Sequence, residues 1–328
     1  MAKVEPIRLH YNTLYLVEDG NERVLIDTGP DYVGAWTELQ AALRGRTPDR
    51  VVATHGHHDH AGMGARWQAA GVPVTLGRAD WRYTAGSDEE IDAEHALLAG
   101  IVEACGAPEA VVSDALAGLN RRMSSHKLAR KSYPPAGSHP HWPTGLMYQQ
   151  YEPSAPSEDG LVGAGLRLEL LPGHTPGNCV VVHAAEGWLF SGDQLLPDIT
   201  PTPGLQVDPD SPTHARFRSL PAFRASLTTL RSESFSRCFP GHGQPFDSVA
   251  ETMEANIAGI DSRTERVLEG LLVAGATSLY ALCEQLYPRA LRRRFWQIVP
   301  TVLGHLDVLV DEGRAVQNGD LWAPTGQY

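Results

Sequence analysis

Four histidines and an aspartate fill six consecutive positions, His55-Gly56-His57-His58-Asp59-His60, directly after the β-forming run Arg50-Val51-Val52-Ala53-Thr54. With only 14 histidines in 328 residues, that density needs a reason. A tag would be terminal and uninterrupted, and this cluster is neither. A solvated loop would leave the downstream pattern unexplained. His174 in Gly173-His174-Thr175-Pro176-Gly177, Asp193 in Ser191-Gly192-Asp193 and His242 in Pro240-Gly241-His242-Gly243 each sit on a glycine-flanked turn after a predicted strand. Loops at strand ends are where α/β scaffolds hold chemistry, and His and Asp are ligand types that zinc and similar metals take. The segments therefore read as parts of one site, with Gly56, Gly62, Gly173, Gly192, Gly241 and Gly243 permitting the tight turns that gather them.

The surrounding pattern fits such a scaffold. Thr13–Val17 and Arg23–Asp27 flank Asp19-Gly20, a strong hairpin signal. From Ser87 the periodicity turns helical, with Ser87 and Glu90 at capping-box spacing, and a second amphipathic stretch covers about 109–123. Residues from Arg121 to Pro143, basic and then rich in Pro, Gly and aromatics, read as a surface loop. Beyond Ser248 three helices are expected, at 249–273, 278–286 and one starting at Pro300 and ending at Gly313, then a hairpin around Asn318-Gly319. Three helices and a hairpin outline a winged-helix domain.

Here the chain resembles the metallo-β-lactamase-fold hydrolases, whose signature H-x-H-x-D-H is His55-Gly56-His57-His58-Asp59-His60, followed in order by a histidine, an aspartate and a last histidine. The resemblance spans about residues 7 to 247. It implies a four-layer αββα sandwich in an α/β class, with residues 1–247 as the catalytic domain; the long gap between His60 and His174, with its two amphipathic stretches, makes about 87–150 a helical cap insertion, and 248–328 is the C-terminal winged-helix-like domain. The resemblance further implies two divalent metal ions, zinc foremost and manganese or iron as alternatives. His55, His57 and His174 would hold one ion, Asp59, His60 and His242 the other, with Asp193 between them and Asp27 supporting the site. Two such ions 3.5–4 Å apart can activate a shared water as hydroxide, with Asp59 as an orienting base and no protein nucleophile. His58 lies at an unassigned position of the signature, and the remaining histidines read as ordinary polar or packing residues.

Composition then narrows the substrate. The net charge of −12 works against nucleic-acid partners unless a local basic patch exists. Cys105, Cys179, Cys238 and Cys283 show no C-x-x-C spacing and read as buried thiols. Neither a leader-like N-terminus nor a membrane-spanning run is seen, so a cytoplasmic protein without membrane contact is expected, with self-association left open. The Gly-His-Thr-Pro-Gly loop resembles glyoxalase II and its relatives, which favours a small acyl substrate, a thioester or ester. The glutathione-binding motifs of true glyoxalase II find no match. The winged-helix outline resembles a lactamase-like subgroup that includes RNA endonucleases, making a phosphodiesterase or RNA endonuclease the alternative, and a ligand-sensing nucleic-acid-binding regulator a third reading. Against both, the third C-terminal helix carries Asp307, Asp311 and Glu312 and no Lys or Arg, although Arg289, Arg292, Arg293 and Arg294 precede it. Within the cap, Arg121, Arg122, Lys127, Arg130 and Lys131 stand without an acid among them. Lys127, Arg130 and Lys131 are expected to attract an anionic group of the substrate, with tyrosines and tryptophans of the next loop covering its apolar part.

Overall fold

Alternate residues of the N-terminal strands face two different partners, and this sets the layers. In the computed structural model, which describes residues 2–136, 143–154, 159–201 and 204–326, the first sheet runs in the order β1 (Lys3–Leu9), β2 (Asn12–Asp19), β3 (Glu22–Ile26), β4 (Arg50–Val52) and β5 (Val74–Thr75). β1 to β3 pair antiparallel and β3 to β5 parallel. The second sheet contains β6 (Gly160–Gly163), β7 (Leu166–Leu170), β8 (Cys179–His183), β9 (Trp188–Gly192) and β10 (Arg237–Pro240), antiparallel except for the parallel β9–β10 pair.

Around the sheets lie α1 (Ala35–Leu43), α2 (His58–Ala61), α3 (Gly64–Ala69), α4 (Trp81–Thr84), α5 (Asp88–Ala104), α6 (Glu109–Ala129), α7 (Ser219–Leu230), α8 (Val249–Ala274), α9 (Leu279–Leu286) and α10 (Phe295–Asp311). Tyr15, Val17, Val24 and Ile26 of the first sheet meet Leu166, Leu168, Val181 and Phe190 of the second, forming the central interior. Their neighbours Leu14, Leu16 and Leu25 point outward and are covered by Leu39, Leu43 and Trp67 of α1 and α3. On the far side Val180, Val182 and Leu189 are covered by Phe223 and Leu227 of α7 and Met253 of α8. The result is the α/β/β/α sandwich expected from the resemblance. Among the described residues no helix is long and apolar enough to cross a membrane, and all four cysteines are free and buried.

The expected hairpin joins β2 and β3, with Gly20 at φ 60°. The expected capping box starts α5, Ser87 Oγ accepting from Glu90 N at 3.3 Å while Ser87 N donates to the Glu90 carboxylate at 2.7 Å. Two boundaries differ. First, α6 continues through Arg121 to Ala129, where a loop was expected. Arg, Met, Lys, Leu and Ala are good helix formers, and burial of Met123 and Ala129 outweighs the polarity of the stretch. His139, His141 and Trp142 lie outside the described residues. Second, α10 begins at Phe295 and carries Pro300 inside it rather than at its start. Burial of Phe295, Ile298 and Val299 extends the helix upstream, despite the backbone hydrogen bond that an interior proline forgoes.

The C-terminal segment adds β11 (Thr277–Ser278), β12 (Ala315–Asn318) and β13 (Leu321–Pro324), a sheet ordered β11-β13-β12. Its core is continuous with the insertion, because Leu271, Leu282 and Leu306 share one cluster with Val102, Cys105 and Ala115 of α5 and α6. The acids at the end of α10 and just past it are paired, Asp307 buried and Asp311 and Glu312 at the surface. Arg216 grips Asp307 through two 2.6 Å hydrogen bonds, Arg218 binds Asp311, and Arg224 reaches Glu312 at 3.2 Å.

Candidate metal centre

Strand ends deliver every ligand-type side chain to one place. β4 leads through Ala53 and Thr54 into His55; Asp59 and His60 lie in the short α2; His174 follows β7; Asp193 and His242 follow β9 and β10. Parallel pairing of β9 and β10 sets the last two side by side, continued by Gly241 N donating to Gly192 O at 2.9 Å. Gly241 must lack a side chain, since a Cβ there would lie 2.5 Å from His60 Cε1.

The side chains converge in two groups. His57 Nδ1 lies 3.0 Å from both His55 Nε2 and His174 Nε2. One ring nitrogen holds at most one proton, so it cannot make a good hydrogen bond to two other ring nitrogens unless their tautomers all suit. Metal–nitrogen bonds of about 2.0–2.1 Å put tetrahedral ligand atoms about 3.4 Å apart, close to what is found. In the other group, Asp59 Oδ2 is 3.3 Å from His242 Nε2 and 3.6 Å from His60 Nε2, and the two histidine nitrogens are 3.3 Å apart. Asp193 faces both groups: Oδ1 is 3.5 Å from His60 Nε2 and from His242 Nε2, and Oδ2 is 3.5 Å from His174 Nε2. Its buried Oδ1 has no hydrogen-bond partner. A buried carboxylate oxygen left bare among imidazole nitrogens is costly unless a cation sits there, so the residues present fit a divalent metal.

Asp27 fixes which nitrogen each ring presents. Held at φ 66° after β3, it takes His60 Nδ1 on Oδ2 at 2.8 Å, leaving Nε2 to point into the site. Its Oδ1 accepts from Thr54 N and Thr54 Oγ1, both at 2.8 Å, and that hydroxyl lies 3.2 Å from His55 Nδ1. One carboxylate thus orients a histidine of each group, directly and through a threonine. His242 Nδ1 is directed at Tyr11 O, 3.1 Å away, with the same consequence for its Nε2.

Electrostatics divide the groups as the geometry does. Burial, and then the positive neighbours it shares the site with, push His55 well below its usual range; burial and His174 bring His57 down to about 4. Burial opposes the charge on His60, but Asp27, Asp59 and Asp193 outweigh it and hold the ring up at about 9. His242, likewise opposed by burial, is raised to about 11 by Asp193 and Asp59. Those two carboxylates resist the desolvation of burial and stay well below the carboxylate range because His60 and His242 face them.

A cavity of about 800 Å³ opens above His57, Asp59 and His174. α6 contributes Arg122, Ser125 and His126, while Leu98 of α5 and Trp296 and Pro300 of α10 supply apolar wall. His58, which sequence left unassigned, also faces this space, its ring stacked on Tyr148 at 3.5 Å with His126 edge-on at 4.9 Å. The three cations singled out from the sequence lie apart from the lining. Lys127 pairs with Asp92 at 2.6 Å, Arg130 is nearly buried and donates to Gly86 O at 2.7 Å, and Lys131 belongs to neither wall. Arg122 is the cation of that stretch that faces the cavity.

Sequence reasoning missed Asp80. Fully buried, it accepts from Gly56 N at 2.7 Å and Thr175 Oγ1 at 2.6 Å on one oxygen, and from Gly177 N at 2.7 Å on the other. It therefore ties the loop of His55 and His57 to the loop of His174. The signal was present: Gly77-Arg78-Ala79-Asp80 ends the β5 segment in the same strand, glycine and acid format as Ser191-Gly192-Asp193.

Comparison with known proteins agrees with this geometry. Residues 8–242 match the family model of the metallo-beta-lactamase superfamily. The probable metallo-hydrolase YqjP of Bacillus subtilis is 28% identical over 306 residues, covering 91% of this chain and 88% of that protein. A beta-lactamase-like protein 2 homolog of Drosophila melanogaster is 25% identical over 260 residues, covering 78% of this chain and 66% of its own length. Among solved structures, a metallo-beta-lactamase family protein of Thermus thermophilus aligns with a TM-score of 0.69 at 23% identity, over 99% of this chain and 98% of that one. A beta-lactamase domain protein of Burkholderia ambifaria gives 0.68 at 20%, over 99% and 92%. These last two speak for the fold.

Proposed function

The chain belongs to the metallo-beta-lactamase superfamily, and from that premise we propose that it is a hydrolase that holds two divalent metal ions, zinc foremost, and cleaves a small thioester or ester. The observation that carries the acyl reading is the cavity. Its floor is formed by His57, Asp59 and His174 and its walls are largely apolar, with Arg122 the sole Lys or Arg among the described lining residues and Glu94 opposing it. Phosphodiester backbones are met by rows of cations, which this space lacks. An apolar acyl group fits it. Divalent ions at such sites supply a Lewis acid and lower the pKa of water toward neutrality.

The chain's own residues do the rest. His55, His57 and His174 would hold one ion, Asp59, His60 and His242 the other, and Asp193 would touch both. Asp59, at the cavity floor, would also orient the reacting water. Asp27 and Asp80 keep the rings and loops in register, and Leu98, Tyr148 and Trp296 shield the reacting bond from bulk water. A panel of thioesters, esters, lactones, phosphodiesters and single-stranded RNA, presented to zinc-loaded and chelator-treated protein, tests the reading. Turnover of thioester or ester that chelation abolishes is expected. Metal-dependent cleavage of RNA without any acyl hydrolysis would overturn it in favour of the nuclease.

A further inference from the structure

Several arginines in and beside the C-terminal segment are held in ion pairs. Arg216 holds Asp307, Arg224 holds Asp261 at 2.8 Å, and Arg314 holds Glu265 at 2.5 Å. Arg292, Arg293 and Arg294 are distinguished by lying together. They are consecutive and exposed, and among the described residues none of them forms an ion pair. All three line a second cavity of about 480 Å³, whose other walls include Val111 and Ala115 of α6, Tyr280 of α9 and Phe295 of α10. Asp114 is the one acid in that lining, so cations are in excess there although the chain carries a net charge of −12. Cations lining one cavity repel one another, and an anion bound there would relieve that repulsion while accepting charge-assisted hydrogen bonds.

Trp296 is a wall common to this cavity and the first. Its side chain lines both the space above His57, Asp59 and His174 and the space beside the three arginines. A ligand seated above His57, Asp59 and His174 would have to pass Trp296 to reach the arginines. We propose that the Arg292–Arg294 cavity binds the phosphorylated end of the substrate, a thioester whose carrier arm ends in a nucleotide-like phosphate group, while the acyl end occupies the larger cavity. This rests on the acyl reading above. A nucleic-acid backbone would need cations continuing along a track, whereas these three are gathered at one concave spot flanked by apolar side chains.

Coenzyme A itself is the probe, since it carries the phosphates and the arm but no acyl bond to cut. Calorimetric titration into metal-loaded wild type should show binding that weakens with added salt. R292A/R293A/R294A should bind at least about tenfold more weakly, as loss of charge-assisted phosphate contacts implies. Its urea midpoint confirms folding, and the single reversal R293E should weaken binding in the same direction if the triple variant is unstable. R289A, outside the lining, should bind as wild type does. Absence of coenzyme A binding by wild type, or equal binding by the arginine variants, overturns the proposal, as does tighter binding of single-stranded RNA that depends on the same arginines. Failure of the acyl reading appears differently, as no thioester or ester turnover by wild type, while coenzyme A binding and its dependence on the arginines stay measurable.

Discussion

Replacing Asp80 by Ala should damage both stability and metal affinity, although Asp80 is not placed among the metal ligands. The change removes the acceptor for two backbone N–H groups, Gly56 and Gly177 at 2.7 Å each, and for the Thr175 hydroxyl at 2.6 Å, at a position with 0% exposure. The hydroxyl can rotate to another partner; the amides are fixed by the chain. At about 1–3 kcal/mol for each buried donor left unpaired, two amides give a loss of about 2–6 kcal/mol. That is a large part of the 5–15 kcal/mol typical of a folded domain. Asp80→Asn keeps one good oxygen and turns an amide NH2 toward the third donor, so about half the loss is expected. Because Asp80 joins the loops of His57 and His174, chelator competition should also show metal affinity falling about 10–100-fold, as for other groups that orient ligands. Urea unfolding gives the first number and zinc-indicator titration the second. An Ala variant within about 0.5 kcal/mol of wild type, the range of neutral surface changes, with unaltered metal affinity would refute the argument.

Asp193→Ala should leave at most one tightly held ion per chain by elemental assay, because Asp193 alone presents oxygens to both groups; two retained ions would contradict the shared-ligand reading. Metal uptake should also depend on pH with a defined sign. In protein stripped of metal, His60 and His242 have pKa values raised to about 9 and about 11, so both are protonated at pH 7 and must lose those protons to ligate through Nε2. Affinity at Asp59, His60 and His242 therefore rises with pH from 7 to 9, by about tenfold per unit for each proton released. His57, lowered to about 4, is already neutral there, so the group of His55 and His174 should load without release. Calorimetry in buffers of different ionisation heat reads the proton count, and zero release at pH 7 for both ions would sink the expectation.

How much of this was legible beforehand follows from what each residue must do. His55, His57, Asp59, His60, His174, Asp193 and His242 stood out as histidines and aspartates on glycine-flanked turns after strands, and the family resemblance supplied their division between two ions and added Asp27. The structure gathers all eight. Asp80 escaped notice because its partners are backbone amides of glycines 56 and 177, and a chain does not display which amides fold will bury. The cavity walls were harder still. Arg122, Ser125 and His126 share one face of α6, but that face became readable only once the helix was known to pass Met123, and with a loop assumed there Lys127, Arg130 and Lys131 looked equally suitable.

The acids of α10 carry a similar lesson about inference from charge. In the sequence, Asp307, Asp311 and Glu312 look like a surface hostile to phosphates. In the fold they are bonded to Arg216, Arg218 and Arg224, so they contribute attachment of α10 to the segments beside the catalytic sheets and little free charge. With residues from Ile298 to Leu309 almost entirely buried, α10 has no long face left to lie in a groove of nucleic acid. What it does offer is its first turns, where Trp296 and Pro300 close the large cavity. The same pairing that neutralises the helix's far end therefore holds the near end as a wall of the large cavity. If the cavity takes the substrate as proposed, selectivity would be set jointly by α6 and α10, and the chemistry by the strand ends.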